Sequence, residues 1–213
     1  MDPDVVSFAA MFKSEADLQG AIASMLRKTK GITGVEITQG TREHGKDIVF
    51  YRPGGLGEKR LFACLVKNEK ITGTVDSNAG AKTVLFQAEQ ALQEAYINGD
   101  GVSEHVSHVY VMAPYDCSQS TMDSIDERLK KESVTFFCGA KLVDLFKENY
   151  PELLVFNSSL LSSYVAKLKR GLDDDNPLKI PFRPILNARD ITTVIFQGLC
   201  EARLLPDSQK LQT

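Results

Sequence analysis

The sequence predicts an α/β protein: a mixed β-sheet flanked by helices on both faces, with a helical C-terminal extension. Three observations point there. Residues 46–67 read as a β-hairpin, residues 106–150 alternate strand, helix, strand, helix, and the character of the chain changes after residue 154. The expected division is a domain over residues 1–154 and an extension or connector over 155–213.

Each element has its own signal. Residues 14–29, SEADLQGAIASMLRKT, begin with Ser14 three positions before Asp17, an imperfect capping-box pattern, and place Leu18, Ile22, Met25 and Leu26 on one helical stripe. Gly31 ends that helix. GVEITQG puts Val35 and Ile37 on one face of a short strand. The turn TREHG leads into KDIVFY, and Pro53-Gly54-Gly55 returns the chain into RLFACLVK. A second helix is expected from Thr83 to Asn98, on Val84, Ala88, Ala91, Leu92 and Ala95. VSHVYVMAP, residues 106–114, is the continuous apolar run of a doubly covered strand. A polar helix over 118–131, the strand VTFFCG and the helix KLVDLFKENY complete the domain, and their alternation implies parallel pairing with right-handed crossovers.

The last third reads differently. SSLLSSYVAKLKRG and RDITTVIFQGLCEARLL are helical patterns separated by DDDNP and the proline-containing KIPFRPIL. Leu178, Ile180, Phe182 and Ile185 either pack on the main domain or belong to a connector toward a further domain or protein partner.

Composition narrows the class. With 43% hydrophobic and 25% charged residues, no apolar run near 20 residues and an acidic N-terminus, the expectation is a cytoplasmic globular protein without a signal peptide or membrane span. Cys64, Cys117, Cys138 and Cys200 form no CxxC pair, so they are read as buried or incidental thiols. The net charge is −3, yet residues 1–72 hold 11 Lys and Arg against 9 Asp and Glu, which makes the first third the more favourable place for phosphate contacts. Arg27, Lys28 and Lys30, like Lys59 and Arg60, also read as a solvated helix end and a charged hairpin. No P-loop, dinucleotide fingerprint or nucleophile elbow is present.

Asp47 stands at the start of one hairpin strand and Lys67 at the end of the other. Charges at such positions are costly to bury without partners, and together they suit a metal ion and a water. Each also has a plain reading, Asp47 as a turn former and Lys67 as the strand's exit into solvent. The order of parts resembles the PD-(D/E)xK, or restriction-endonuclease-like, superfamily, and within it the Mrr-like restriction and defence nucleases. The resemblance rests on the helix containing Glu15, on Gly45 and Asp47 in EHGKDIVF, on Lys67 in LFACLVKNEK, on the helix FQAEQALQEAY and on SHVYVMAP…VTFFCGAKLVDLF. It covers about residues 8–154.

That resemblance implies a metal-dependent DNA endonuclease acting in restriction or anti-phage defence, with Mg²⁺ or Mn²⁺ as cofactor and DNA as partner. Asp47 would be a metal ligand, Lys67 the group that orients the attacking water, and Glu15 a further metal or water contact, unless Glu15 only complements its helix dipole. Cutting both strands calls for two sites, so a homo-oligomer, dimer or higher, is a further expectation. His44, Lys46 and Lys70 would contact nucleic acid, although His44 also reads as a solvated turn residue and Lys70 as an exposed loop lysine. His105 and His108 read as structural.

The sequence departs from the family at Leu65, where an acidic or amide ligand is expected two positions before the lysine. Residues 63, 65 and 67 are expected on one strand face, so leucine occupies the ligand position. The ligand has moved to Glu69, or to Gln87 or Glu89 on the next helix; or the site is inactive and the domain is a binding or assembly module; or Leu65 is an isolated change in an active protein.

Overall fold

The computed structural model describes residues 2–38, 44–54, 57–76, 80–129 and 133–156. Its first compact unit is Met1–Tyr150, an α/β fold built on a five-stranded mixed sheet flanked by helices. The second unit is Pro151–Thr213, of which a 3-10 helix, Pro151–Phe156, is described. The patterns assigned to residues 157–213 lie outside the described residues.

The chain opens with α1 (Pro3–Ala9), a short helix absent from the sequence expectation. Asp2 caps it, Pro3 starts it, and Val5, Phe8 and Ala9 are buried. In α2 (Glu15–Lys28) the capping box is complete. The Asp17 amide donates to Ser14 Oγ at 3.1 Å, and the Ser14 amide donates to Asp17 Oδ2 at 3.0 Å. Leu18, Ile22, Met25 and Leu26 are buried, as their spacing predicts.

The sheet has the order β1-β2-β3-β6-β7, with β1 (Thr33–Ile37), β2 (Ile48–Pro53), β3 (Lys59–Val66), β6 (His108–Ala113) and β7 (Val134–Cys138). The expected hairpin is present: β2 runs antiparallel to β3, from Ile48 opposite Cys64 to Pro53 opposite Lys59. The β3–β6 and β6–β7 pairs are parallel. The connecting helices are α3 (Gly80–Gln93) and α4 (Gln119–Leu129), and α5 (Ala140–Asn149) follows β7. α3 ends five residues before the expected Asn98. The chain then makes a small hairpin of β4 (Tyr96–Ile97) and β5 (Ser103–Glu104), each too short for its periodicity to be read.

Side-chain alternation distributes the core to both faces of the sheet. Val49, Leu61, Ala63, Leu65, Val109, Val111, Val134 and Phe136 pack with Ala81, Val84, Ala88 and Ala91 of α3 and with Ile125 and Leu129 of α4. The alternate residues Ile48, Phe50, Cys64, Val66 and Met112 are also buried, and α2 packs on β1 and β3 while α5 packs on β7. Phe8 packs against Phe146 of α5, with ring centroids 5.0 Å apart and planes tilted by 60°. Among the described residues no helix is long and apolar enough to cross a membrane.

Candidate functional site

The entry of β2 and the exit of β3 lie at one end of the sheet, because antiparallel pairing sets the first residue of one beside the last of the other. Asp47, just before Ile48, is held there twice. Its amide donates to the Cys64 carbonyl at 2.9 Å, and its carboxylate Oδ2 accepts from the Val66 amide at 2.6 Å. A carboxylate held by a backbone N–H is preorganised as well as charged. Its charge, after burial itself, helps to push the Cys64 thiol far above its usual range.

Lys67 follows Val66 directly. Its amide donates to the Met112 carbonyl at 3.0 Å, continuing the parallel ladder beyond β3. Its ammonium lies 3.8 Å from Glu15 Oε2, and its side chain is only 12% exposed, against 40% for Glu15. At that length and exposure the ion pair contributes little stability, so its interest is placement. The structure thus gathers Asp47, Lys67 and Glu15 around the β2–β3 end and the first turn of α2.

The expectation that residues 63, 65 and 67 share one strand face holds for Ala63 and Leu65, and Lys67 lies one residue beyond the end of β3. Ala63 and Leu65 are fully buried in the apolar cluster with α3 and α4, whereas Lys67 has left the strand and reaches Glu15 of α2. Leu65 is a core residue.

A correction concerns Lys46, which is fully buried. It continues the alternation of Ile48 and Phe50, both buried, and its Nζ donates to the His44 carbonyl at 3.4 Å. Desolvation lowers its pKa, with the charge of Glu94 opposing that shift. A lysine so enclosed is not a surface cation for nucleic acid. Thr38 Oγ1 donates to the Lys46 carbonyl and ties this segment to the end of β1.

The turn before Asp47 packs on α3. Gly45 has φ +75°, and a Cβ there would overlap the Gln87 carbonyl oxygen. His44, also at positive φ, has Nδ1 3.4 Å from Gln90 Nε2. The Gln87 turn of α3 is therefore seated against the backbone two residues ahead of Asp47. The Gln87 side-chain oxygen Oε1 is buried without a hydrogen-bond partner. So is Oδ1 of Asn68, whose Nδ2 donates to the Phe12 carbonyl at 3.3 Å. Asn68 was not singled out from the sequence, and its only signal there is adjacency to Lys67. Glu69 and Lys70 are exposed on the following bend, and Glu89 is half-buried on α3.

Among the described residues no three His, Cys, Asp or Glu side chains converge as a metal cage. Mg²⁺ asks for less, since it is commonly held by one or two carboxylates together with waters and substrate phosphate oxygens. The anchored Asp47 carboxylate is a hard oxygen donor that suits such a sparse seat; the orphaned Gln87 amide oxygen is another, on the α3 turn packed against Gly45, while Leu65 offers none. No family model, curated protein or solved structure matches the chain.

Proposed function

We propose that residues 1–154 form a restriction-endonuclease-like domain that hydrolyses DNA phosphodiester bonds with Mg²⁺ or Mn²⁺. The observation that carries this reading is the hydrogen bond from the Val66 amide to Asp47 Oδ2, which fixes the acid beside the residue preceding Lys67. Asp47 would hold the metal, with the Gln87 amide oxygen and substrate phosphate completing its oxygen shell. Bound there, the metal would polarise the phosphate and lower the pKa of a water. Lys67, mostly screened from solvent, orients the attacking water and stabilises charge developing on the phosphate. Glu15, near the Lys67 ammonium, restrains that side chain and can accept a proton from water. An effector role in restriction or anti-phage defence, DNA as the substrate and a cytoplasmic site of action belong to the same reading.

The second reading is a nuclease fold without catalysis, serving DNA or protein binding and assembly. Leu65 favours it: full burial among apolar neighbours commits that position to the core. Calorimetric titration with Mg²⁺ and Mn²⁺ tests the choice. Stoichiometric binding lost in Asp47→Ala supports the nuclease, whereas no specific heat from the folded chain leaves the binding module.

A further inference from the structure

We propose that Cys117 and Cys138 form an oxidisable dithiol, a modification site that hydrogen peroxide closes into an intramolecular disulfide at the carboxyl ends of β6 and β7. Both are free thiols, Cys138 buried and Cys117 half-buried.

The backbone already brings them together. Ala113 and Cys138 are paired across β6 and β7, and the Gly139 amide donates to the Ala113 carbonyl at 3.1 Å. Beyond Ala113 the chain folds back, so that Asp116 packs against Gly139. A Cβ at Gly139 would overlap Asp116 Oδ1 and lie 3.1 Å from Asp116 Cα. Residues 116 and 139 are thus in contact, and the cysteines are their immediate neighbours. Cys117 also packs against the apolar cluster that contains Cys138. Each thiol is also the largest influence on the other's ionisation, as expected of neighbouring side chains. These contacts place the two thiols in one neighbourhood, from which a disulfide can close.

The two thiols differ in exposure and in the direction of their shifts. The neighbouring Cys138 draws the Cys117 pKa below its ordinary value, with burial opposing, while Cys117 and burial push Cys138 far up. Cys117, the half-buried thiol, is the one peroxide reaches and so the nucleophile, and the buried Cys138 is the resolving thiol. The Cys117 thiolate attacks one peroxide oxygen, an S–O bond forms, the O–O bond breaks, and water leaves after protonation to give a sulfenic acid. Cys138 then attacks Cys117 Sγ; the S–S bond forms, the S–O bond breaks and a second water leaves, carrying the Cys138 proton. The sum is two thiols and one peroxide giving one disulfide and two waters.

The position gives the bond a consequence. Cys117 precedes α4, and Thr121 Oγ1 of that helix donates to the Gly73 carbonyl at 2.8 Å, in the segment after Lys67. A disulfide would pin this connection to β7.

The test is peroxide treatment of the reduced full chain, then alkylation, proteolysis and mass spectrometry. The expected result is loss of two hydrogens from the intact chain and one cross-linked peptide pair holding Cys117 and Cys138, reversed by dithiothreitol. Cys117→Ser should abolish that pair and Cys200→Ser should leave it. Cys117 accumulating as sulfinic acid with Cys138 still alkylated would overturn the proposal, as would bridges confined to other cysteines or between chains. If Cys138→Ser fails to fold, the half-buried Cys117→Ser still decides.

Discussion

Asp47 draws its placement from β3 twice, through its own amide and through its carboxylate. Under the proposed nuclease reading, Asp47→Ala should lower DNA cleavage by about 100-fold or more, and Lys67→Ala by a similar factor, in single-turnover assays. Gly45 is constrained for two reasons, a positive φ and contact with the Gln87 carbonyl. Gly45→Ala should cost about 3 kcal/mol in urea unfolding, since strain and overpacking add. Lys46 gives a pH test. Burial depresses its pKa below the ordinary 10.5, so the unfolded chain binds a proton that the folded chain resists. Its penalty is full below the folded pKa and fades as pH rises through that value toward 10.5. Lys46→Met should raise stability at neutral pH, and the gain should shrink at high pH in parallel denaturation curves.

Among the elements, the sequence made the long ones legible. The Pro-Gly turn and alternating apolar residues predict the β2–β3 hairpin, and the apolar run before Pro114 predicts a buried parallel strand. The capping box placed the start of α2, and Ser14→Ala should cost about 1 kcal/mol by thermal unfolding. α1 and the β4–β5 hairpin escaped because seven-residue and two-residue elements carry too little periodicity. Lys46 was legible in principle: it falls in the same alternation as Ile48 and Phe50, but its charge suggested the surface. The end of β3 was not legible, because whether Lys67 continues the strand or turns toward α2 depends on a helix distant in sequence.

At the scale of the molecule, the sheet brings together residues that the chain separates: Glu15 with Lys67, and the Gln87 turn with Gly45. The sequence named Asp47, Lys67, Glu15 and Gln87, but it could not place α3 against the turn, nor show the orphaned oxygens of Asn68 and Gln87. Leu65 matters at this scale too. Leu65→Gln would bury an amide among apolar neighbours and should cost about 1–3 kcal/mol, read by urea unfolding. Placing an amide at this position therefore loads the core, whatever it adds to the proposed site. The most direct measurement is nicking of supercoiled plasmid by the folded chain in Mg²⁺ or Mn²⁺, beside Asp47→Ala and Lys67→Ala. Metal-dependent nicking that both substitutions abolish is the predicted result; nicking that survives both, or none under either metal, would contradict a nuclease site at this end of the sheet.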